Sequence, residues 1–462
     1  MLNVKLLSLW LTTFKSKLYA IVLVSLVVRV IGFFLLPNQP TVALAPDEGG
    51  YAEIGKLVTS GQPTTSYGGL YKISRSLVLP ASLLNKIGIE PLSSVRIIAS
   101  VYGFCTLLLV VKIILKTIDI NEVREIDFKK SSAIVALFAI FAFLPSHLLW
   151  SMLGLRESPM EFWVMSALAS IYWVFYIQKQ LSLQIVLWLV VSIVLIFNSR
   201  PQVGWVLGVT LLIILLFKVR NRIAIVLIPV TLIALGLGYA SVSLSLQKQD
   251  VFMLVATDGT ATDGTACKDS NEKIIVQKVE YICKKTGEKK SIIGLQNPAE
   301  VVFEQTQGIP LHHDLNQVDA ASMIQTLSCP NSGETKFDKN FCMLWRAPYM
   351  SATFLFRPAI EIDVTSRSSF LAALENILWT GAFIFIITML IKKRRLALLG
   401  PITPSLIFFG LYSVGAGSYE GNMGTAFRHK SLILWVVLLL LASAILAKKT
   451  PTHRNESSGN AV

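Results

Sequence analysis

Charged residues are scarce in this chain of 462: Asp, Glu, Lys and Arg make up 15% of it, against about a quarter in a soluble domain. That shortage excludes an ordinary cytosolic enzyme and a disordered tail. Cysteine is also sparse: five residues are too few for a disulfide scaffold, and no C-x-x-C is present to suggest a zinc ribbon. Neither a G-x-x-x-x-G-K-[ST] phosphate loop nor a G-x-G-x-x-G dinucleotide fingerprint occurs. Hydrophobic residues reach 53%, and mean hydropathy is +0.61. The composition is that of an all-α polytopic membrane protein.

A helix needs about 20 mostly apolar residues to cross roughly 30 Å of hydrocarbon. Ten stretches qualify, near 18–37, 95–116, 132–152, 159–178, 184–199, 201–217, 223–243, 369–391, 396–414 and 431–447. The first is long, carries Arg29 and lacks a small-residue cleavage site, so it reads as a retained helix rather than a signal peptide. The fifth and sixth are short and divided only by Asn198-Ser199-Arg200-Pro201, where Pro201 makes one continuous helix unfavourable. With the N-terminus inside, the segments carrying Lys5 to Lys17, Arg124 with Lys129 and Lys130, Lys179, Lys218 to Arg222, Lys392 to Arg395 and Lys448-Lys449 all face the cytoplasm. Basic residues collect on that side. The net charge of +14 is therefore a topology signal, and it predicts no nucleic-acid partner.

Four parts follow. Residues 1–243 form an N-terminal membrane module of seven helices, 244–368 an outer insertion, 369–447 the C-terminal membrane helices, and 448–462 a cytoplasmic tail. The insertion holds 13 Lys+Arg against 15 Asp+Glu and is nearly neutral. It opens on a tandem Ala-Thr-Asp-Gly-Thr at 256–265, a turn-forming composition. Cys267, Cys283, Cys329 and Cys342 lie in it, so a small disulfide-containing subdomain is expected, with three connectivities open. The sequon Asn455-Glu456-Ser457 falls in the cytoplasmic tail and none falls outside, which points to a bacterial inner membrane rather than the endoplasmic reticulum.

Ionisable groups near hydrocarbon are costly unless paired or functional. They gather on the outer face. Directly after the first helix stands Ala45-Pro46-Asp47-Glu48-Gly49-Gly50-Tyr51, adjacent carboxylates that suit a general base and a charge-stabilising partner. They also suit the first turn of a helix. Tyr51 to Ser60 and Leu77 to Ile89, stopped near Gly61 and Gly88, read as helices lying in the membrane interface. The second outer turn holds Arg156 and Glu157, the third holds Arg200, and Arg428-His429-Lys430 precedes the last helix against the positive-inside trend. Arginine is the residue best shaped to hold a phosphate. The pair His312-His313 lacks further ligands. Trp150, Trp163, Trp205 and Trp379, near helix ends, are expected to be interfacial anchors.

An Asp-Glu-x-x-Tyr element just outside the first helix, a glycine break near Gly61, Pro80 in the second interfacial helix, and Gly88 before an Arg96-led helix resemble the GT-C superfamily of membrane glycosyltransferases. The likeness is to the bacterial relatives of protein O-mannosyltransferases and the aminoarabinose transferase. It covers the first three membrane helices best. It implies a catalytic Asp47, with Glu48 beside it, and transfer of a sugar from a polyprenyl-phosphate carrier to a glycan, lipid or protein acceptor on the outer face. Tyr51, Arg156, Glu157, Arg200, Arg428, His429 and Lys430 would then bind substrate and phosphate. A divalent metal ion stays open, and no metal ligand is assigned.

Two alternatives stand beside it. An O-antigen polymerase or ligase also acts on lipid-linked glycans outside the membrane. A lipid or glycan transporter would place ionisable groups near the bilayer midplane, where the sequence reading finds only Arg29.

Overall fold

The computed structural model describes residues 2–36, 46–62, 71, 74–120, 128–218, 220–247, four short strands between 253 and 291, 347–349, 351–358, 367–393, 403–419 and 423–446. Among them the chain is helical except for those strands. The helices are α1 (Leu2–Leu35), α2 (Pro46–Thr59), α3 (Arg75–Lys86), α4 (Pro91–Ile120), α5 (Phe128–Ala142), α6 (Pro145–Met152) and α7 (Glu157–Tyr172). They continue with α8 (Leu183–Phe197), α9 (Pro201–Phe217), α10 (Arg222–Gln247), α11 (Arg367–Lys393), α12 (Thr403–Tyr419) and α13 (Met423–Leu446).

Helix starts follow local chemistry. Proline opens α2, α4, α6 and α9, at the position where a missing N–H costs nothing. Glu90 accepts from the backbone N–H groups of Leu92 (3.1 Å) and Ser93 (2.8 Å) at the head of α4. Gly61 (φ +69°) and Gly88 (φ +90°) follow α2 and α3 in the left-handed region that ends helices. Pro80, inside α3, cannot donate to the Ser76 carbonyl four residues back; the Tyr102 hydroxyl donates to it instead, at 3.2 Å.

Each of the ten apolar stretches falls mainly on helix where its residues are described. Among the described residues five helices are long and apolar enough to cross a membrane: Phe14–Leu35, Pro91–Thr117, Glu157–Ile177, Arg222–Ser241 and Phe370–Thr388. The third stretch is not one straight helix. It breaks between Ala142 and Pro145 with a bend of 44°, and makes a sixth span if α5 and α6 are taken together. Helices α8 and α9 are separate, as Pro201 predicts, and are shorter than a spanning length.

Helix α13 is the hub, packing against α5, α6, α7, α11 and α12. Its residues Leu432 to Ala442 are all buried, the pattern of a helix apolar on every side and enclosed by others. Helices α2 and α3 pack on each other and on α4, around a second apolar cluster that includes Tyr51, Ile54, Leu77, Val78, Leu92 and Leu155. Trp163 and Trp379 are buried in the main core, where Trp379 Nε1 donates to Glu375 at 3.1 Å, and so are not interfacial anchors; Trp205 is exposed.

Four three-residue strands, Met253–Val255, Lys273–Ile275, Glu280–Ile282 and Lys289–Ser291, form an antiparallel meander in sequence order within the outer insertion. Cys267, Cys283, Cys329 and Cys342 lie outside the described residues, as do His312 and His313. Cys105, in α4, is a free, half-buried thiol.

Candidate functional site

One end of the bundle gathers the head of α2, the turn before α7, the turn at 198–200 and the first turns of α13. Asp47 Oδ2 accepts a hydrogen bond from Arg428 Nη1 at 3.0 Å. Arg428 Nε lies 4.0 Å from Glu157 Oε1, and His429 Nε2 lies 3.9 Å from the same oxygen. Arg200 donates through Nη1 to His429 Nε2, so that ring is neutral with Nε2 as acceptor. Asp47, Arg428, Glu157, His429 and Arg200 thus form one chain of contacts. Burial grades along it: Asp47's side chain is 40% exposed and Arg428's 23%, whereas Glu157 is 2% exposed.

The turn before α7 is placed by Gly154, whose φ is +60°. A Cβ there would stand 2.9 Å from Val95 Cγ2 and 3.2 Å from the Arg96 backbone nitrogen. Only glycine lets this turn lie against α4 in that conformation. Helix α3 is tied to the neighbouring turn through Arg75 to Asn198 Oδ1 (3.3 Å) and Ser76 to Ser199.

Tyr51 is buried beneath the cluster. Burial pushes its phenol well above the usual tyrosine range, Arg156 opposes this, and Glu157 and Asp47 add to it. Burial alone would lower the Arg428 guanidinium; the carboxylates of Glu157 and Asp47 outweigh that and hold it above its ordinary value. Arg156, Arg200 and Arg428 against Asp47 and Glu157 leave one excess positive charge, with His429 neutral. The cluster suits an anion, and its exposed carboxylate is Asp47.

Three expectations change. Glu48 does not act beside Asp47: it is fully buried and ion-paired with Arg96, fastening α2 to α4. Lys430 is turned away from the cluster and buried, donating to the carbonyls of Leu355 (3.0 Å) and Arg357 and to Asn376 Oδ1 (2.6 Å). An ammonium has three hydrogens, and these acceptors take all of them. Glu157, expected among the substrate-binding residues, is buried against Arg428 across helices, with His429 Nε2 3.9 Å away. Among the described residues no group of three His, Cys, Asp or Glu is arranged to hold a metal ion.

A second buried set went unread in the sequence. Arg29 donates through Nε to Ser151 Oγ (3.0 Å), through Nη1 to Ser25, and through Nη2 to His147 Nε2 (2.8 Å). Since Nε2 accepts, the ring proton sits on Nδ1 and is donated to Glu161 Oε2 at 2.9 Å. Trp435 Nε1 donates to that oxygen at 3.2 Å, and its ring stands edge-on to His147. A neutral histidine therefore bridges a guanidinium and a carboxylate between α1, α6, α7 and α13. Deeper on α11, Glu375 accepts from the Ser146 N–H at 2.9 Å and so caps the broken head of α6. Arg29 is thus not the only charged residue within the apolar stretches, which also hold Glu161 and Glu375. The available signal was a lone glutamate in each apolar stretch, Glu161 one turn after Glu157 and Glu375 inside 369–391.

No protein-family model, no curated protein and no solved structure matches the chain.

Proposed function

We propose that the chain is a membrane glycosyltransferase that moves a sugar from a polyprenyl-phosphate carrier to an acceptor on the outer face. On this reading it crosses a bacterial inner membrane ten times with both termini cytoplasmic, and its outer insertion carries two disulfides among Cys267, Cys283, Cys329 and Cys342. The observation that carries it is the pairing of Asp47 with Arg428 at the open end of a buried cationic chain.

That pairing suggests a sequence of events. In the absence of donor, Arg428 is paired with Asp47. A lipid phosphate arriving at the cluster competes for Arg428, because an oxyanion with several acceptor atoms is a stronger partner than one exposed carboxylate. Asp47 is released to take the proton of the acceptor hydroxyl. The acceptor oxygen then bonds to the anomeric carbon, the bond from that carbon to the phosphate oxygen breaks, and the leaving phosphate departs with the electron pair against the guanidinium groups.

The test uses purified protein in nanodiscs with polyprenyl phosphate carrying a single hexose or pentose, and reads release of free polyprenyl phosphate. Asp47→Asn should lose about 10²-fold or more in turnover while remaining folded. Retained turnover in that variant sinks the reading.

A second reading, a lipid or glycan transporter, is favoured by the bent pair α5 and α6 and the buried Arg29, His147 and Glu161 beside it. It predicts movement of an intact lipid-linked glycan across a proteoliposome bilayer, with no free polyprenyl phosphate formed.

A further inference from the structure

The chain's cations differ in what they still have to give. Arg428 faces Asp47 and Glu157, Arg200 contacts His429, Arg96 holds Glu48, and Lys430 is filled by carbonyls and Asn376. Arg156 is different. Its Nη1 is buried and has no hydrogen-bond partner, and it is the cation that acts most strongly on the Tyr51 phenol. The next residue, Glu157, is 2% exposed; its Oε1 faces Arg428, while its Oε2 is buried with no partner. Two unused buried atoms of opposite hydrogen-bonding sense therefore sit on consecutive residues, at the head of α7, in a turn fixed by Gly154.

Burying a polar atom unpaired is unfavourable, and proteins tolerate it where a ligand completes the pairing. A simple anion would satisfy Arg156 but be repelled by Glu157. A cation or a neutral sugar would satisfy Glu157 and leave Arg156 unused. A group that offers an anionic oxygen with a hydroxyl or amino hydrogen close by satisfies both.

We infer that Arg156 and Glu157 are a recognition pair for a glycosyl phosphate, with Arg156 Nη1 donating to a phosphate oxygen and Glu157 Oε2 accepting a hydrogen from the attached sugar. The inference rests on the glycosyl-transfer reading and goes beyond it. It makes Arg156, rather than Arg200 or Lys430, the cation with a hydrogen free for donor phosphate, and it makes Glu157 the residue that tells a loaded carrier from a bare one.

The experiment measures binding of two probes to the full chain in nanodiscs by native mass spectrometry, polyprenyl monophosphate and the same lipid carrying one hexose. The wild-type protein should hold the hexosyl lipid about tenfold more tightly. Arg156→Gln should weaken both lipids by about tenfold or more. Glu157→Gln should lose the preference for the hexosyl lipid over the bare one. Equal weakening of both lipids by Glu157→Gln overturns the pair, because Glu157 would then act through Arg428. Unchanged affinities in Arg156→Gln overturn it as well, and if turnover also survives there the transfer reading stands without it. Where Glu157→Gln does not fold, the wild-type comparison decides: equal affinity for the two lipids removes the sugar contact. Binding of neither lipid by wild type removes the transfer reading together with the pair.

Discussion

Glu161→Gln tests the buried bridge directly. Arg29 and Glu161 are each 1% exposed and carry opposite charges linked by the neutral ring of His147. Replacing the carboxylate by an amide leaves the guanidinium buried without its counter-charge, and gives the His147 and Trp435 N–H groups a weaker acceptor. Removing one member of such a buried pair costs about 3–5 kcal/mol. Arg29→Met should cost a similar amount, since it strands the carboxylate and leaves Ser25 and Ser151 without their donor. The double variant removes both charges, so its cost should fall short of the sum by roughly 1–3 kcal/mol. Unfolding by SDS in mixed micelles, followed by circular dichroism for all four proteins, measures each term of the cycle. Additivity within about 0.5 kcal/mol, or a loss below about 1 kcal/mol for Glu161→Gln, would refute the bridge as an energetic unit.

Three further outcomes separate structural from functional charges. Glu48→Gln should destabilise by about 3 kcal/mol or more by stranding Arg96, and per folded molecule should keep far more turnover than Asp47→Asn, as paired stability and turnover measurements on the two variants would read. Lys430→Met should leave two carbonyls and the Asn376 amide oxygen without a donor at about 1–3 kcal/mol each, seen as lower thermal stability, with lipid-phosphate affinity unchanged in the protein that remains folded. Tyr51 is held protonated by burial, so its folded value lies above its ordinary 10.0 and its stability contribution is complete below that pH and lost as pH rises beyond it; Tyr51→Phe should flatten the alkaline limb of a stability-against-pH curve.

Much of this molecule was legible in one dimension. Where their residues are described, the ten apolar stretches fall mainly on helix, because apolar runs of that length have few other ways to satisfy their backbone groups, and five helices there are of spanning length. Gly61, Gly88 and Pro201 mark their boundaries through φ preferences that act within a residue or two. Asp47, Glu157, Arg200 and Arg428, expected together from counting crossings and basic loops, do meet at one end of the bundle. The break between α5 and α6 was missed because the 132–152 stretch is mostly apolar, and Pro145-Ser146-His147 in its second half carried the sign of it.

What the sequence determined by itself is therefore where helices form and where they break, since hydropathy, proline and glycine act locally. Only the tertiary structure decided which charge meets which. Arg428 reaches Asp47 across 381 positions, Arg96 takes Glu48 instead of leaving it beside Asp47, and Lys430 is spent on carbonyls although it stands two residues from Arg428. Adjacent residues on a helix point about 100° apart, so neighbours in sequence are dealt to different partners. In a low-dielectric interior each buried charge must still find one, and the packing of distant helices determines which it finds.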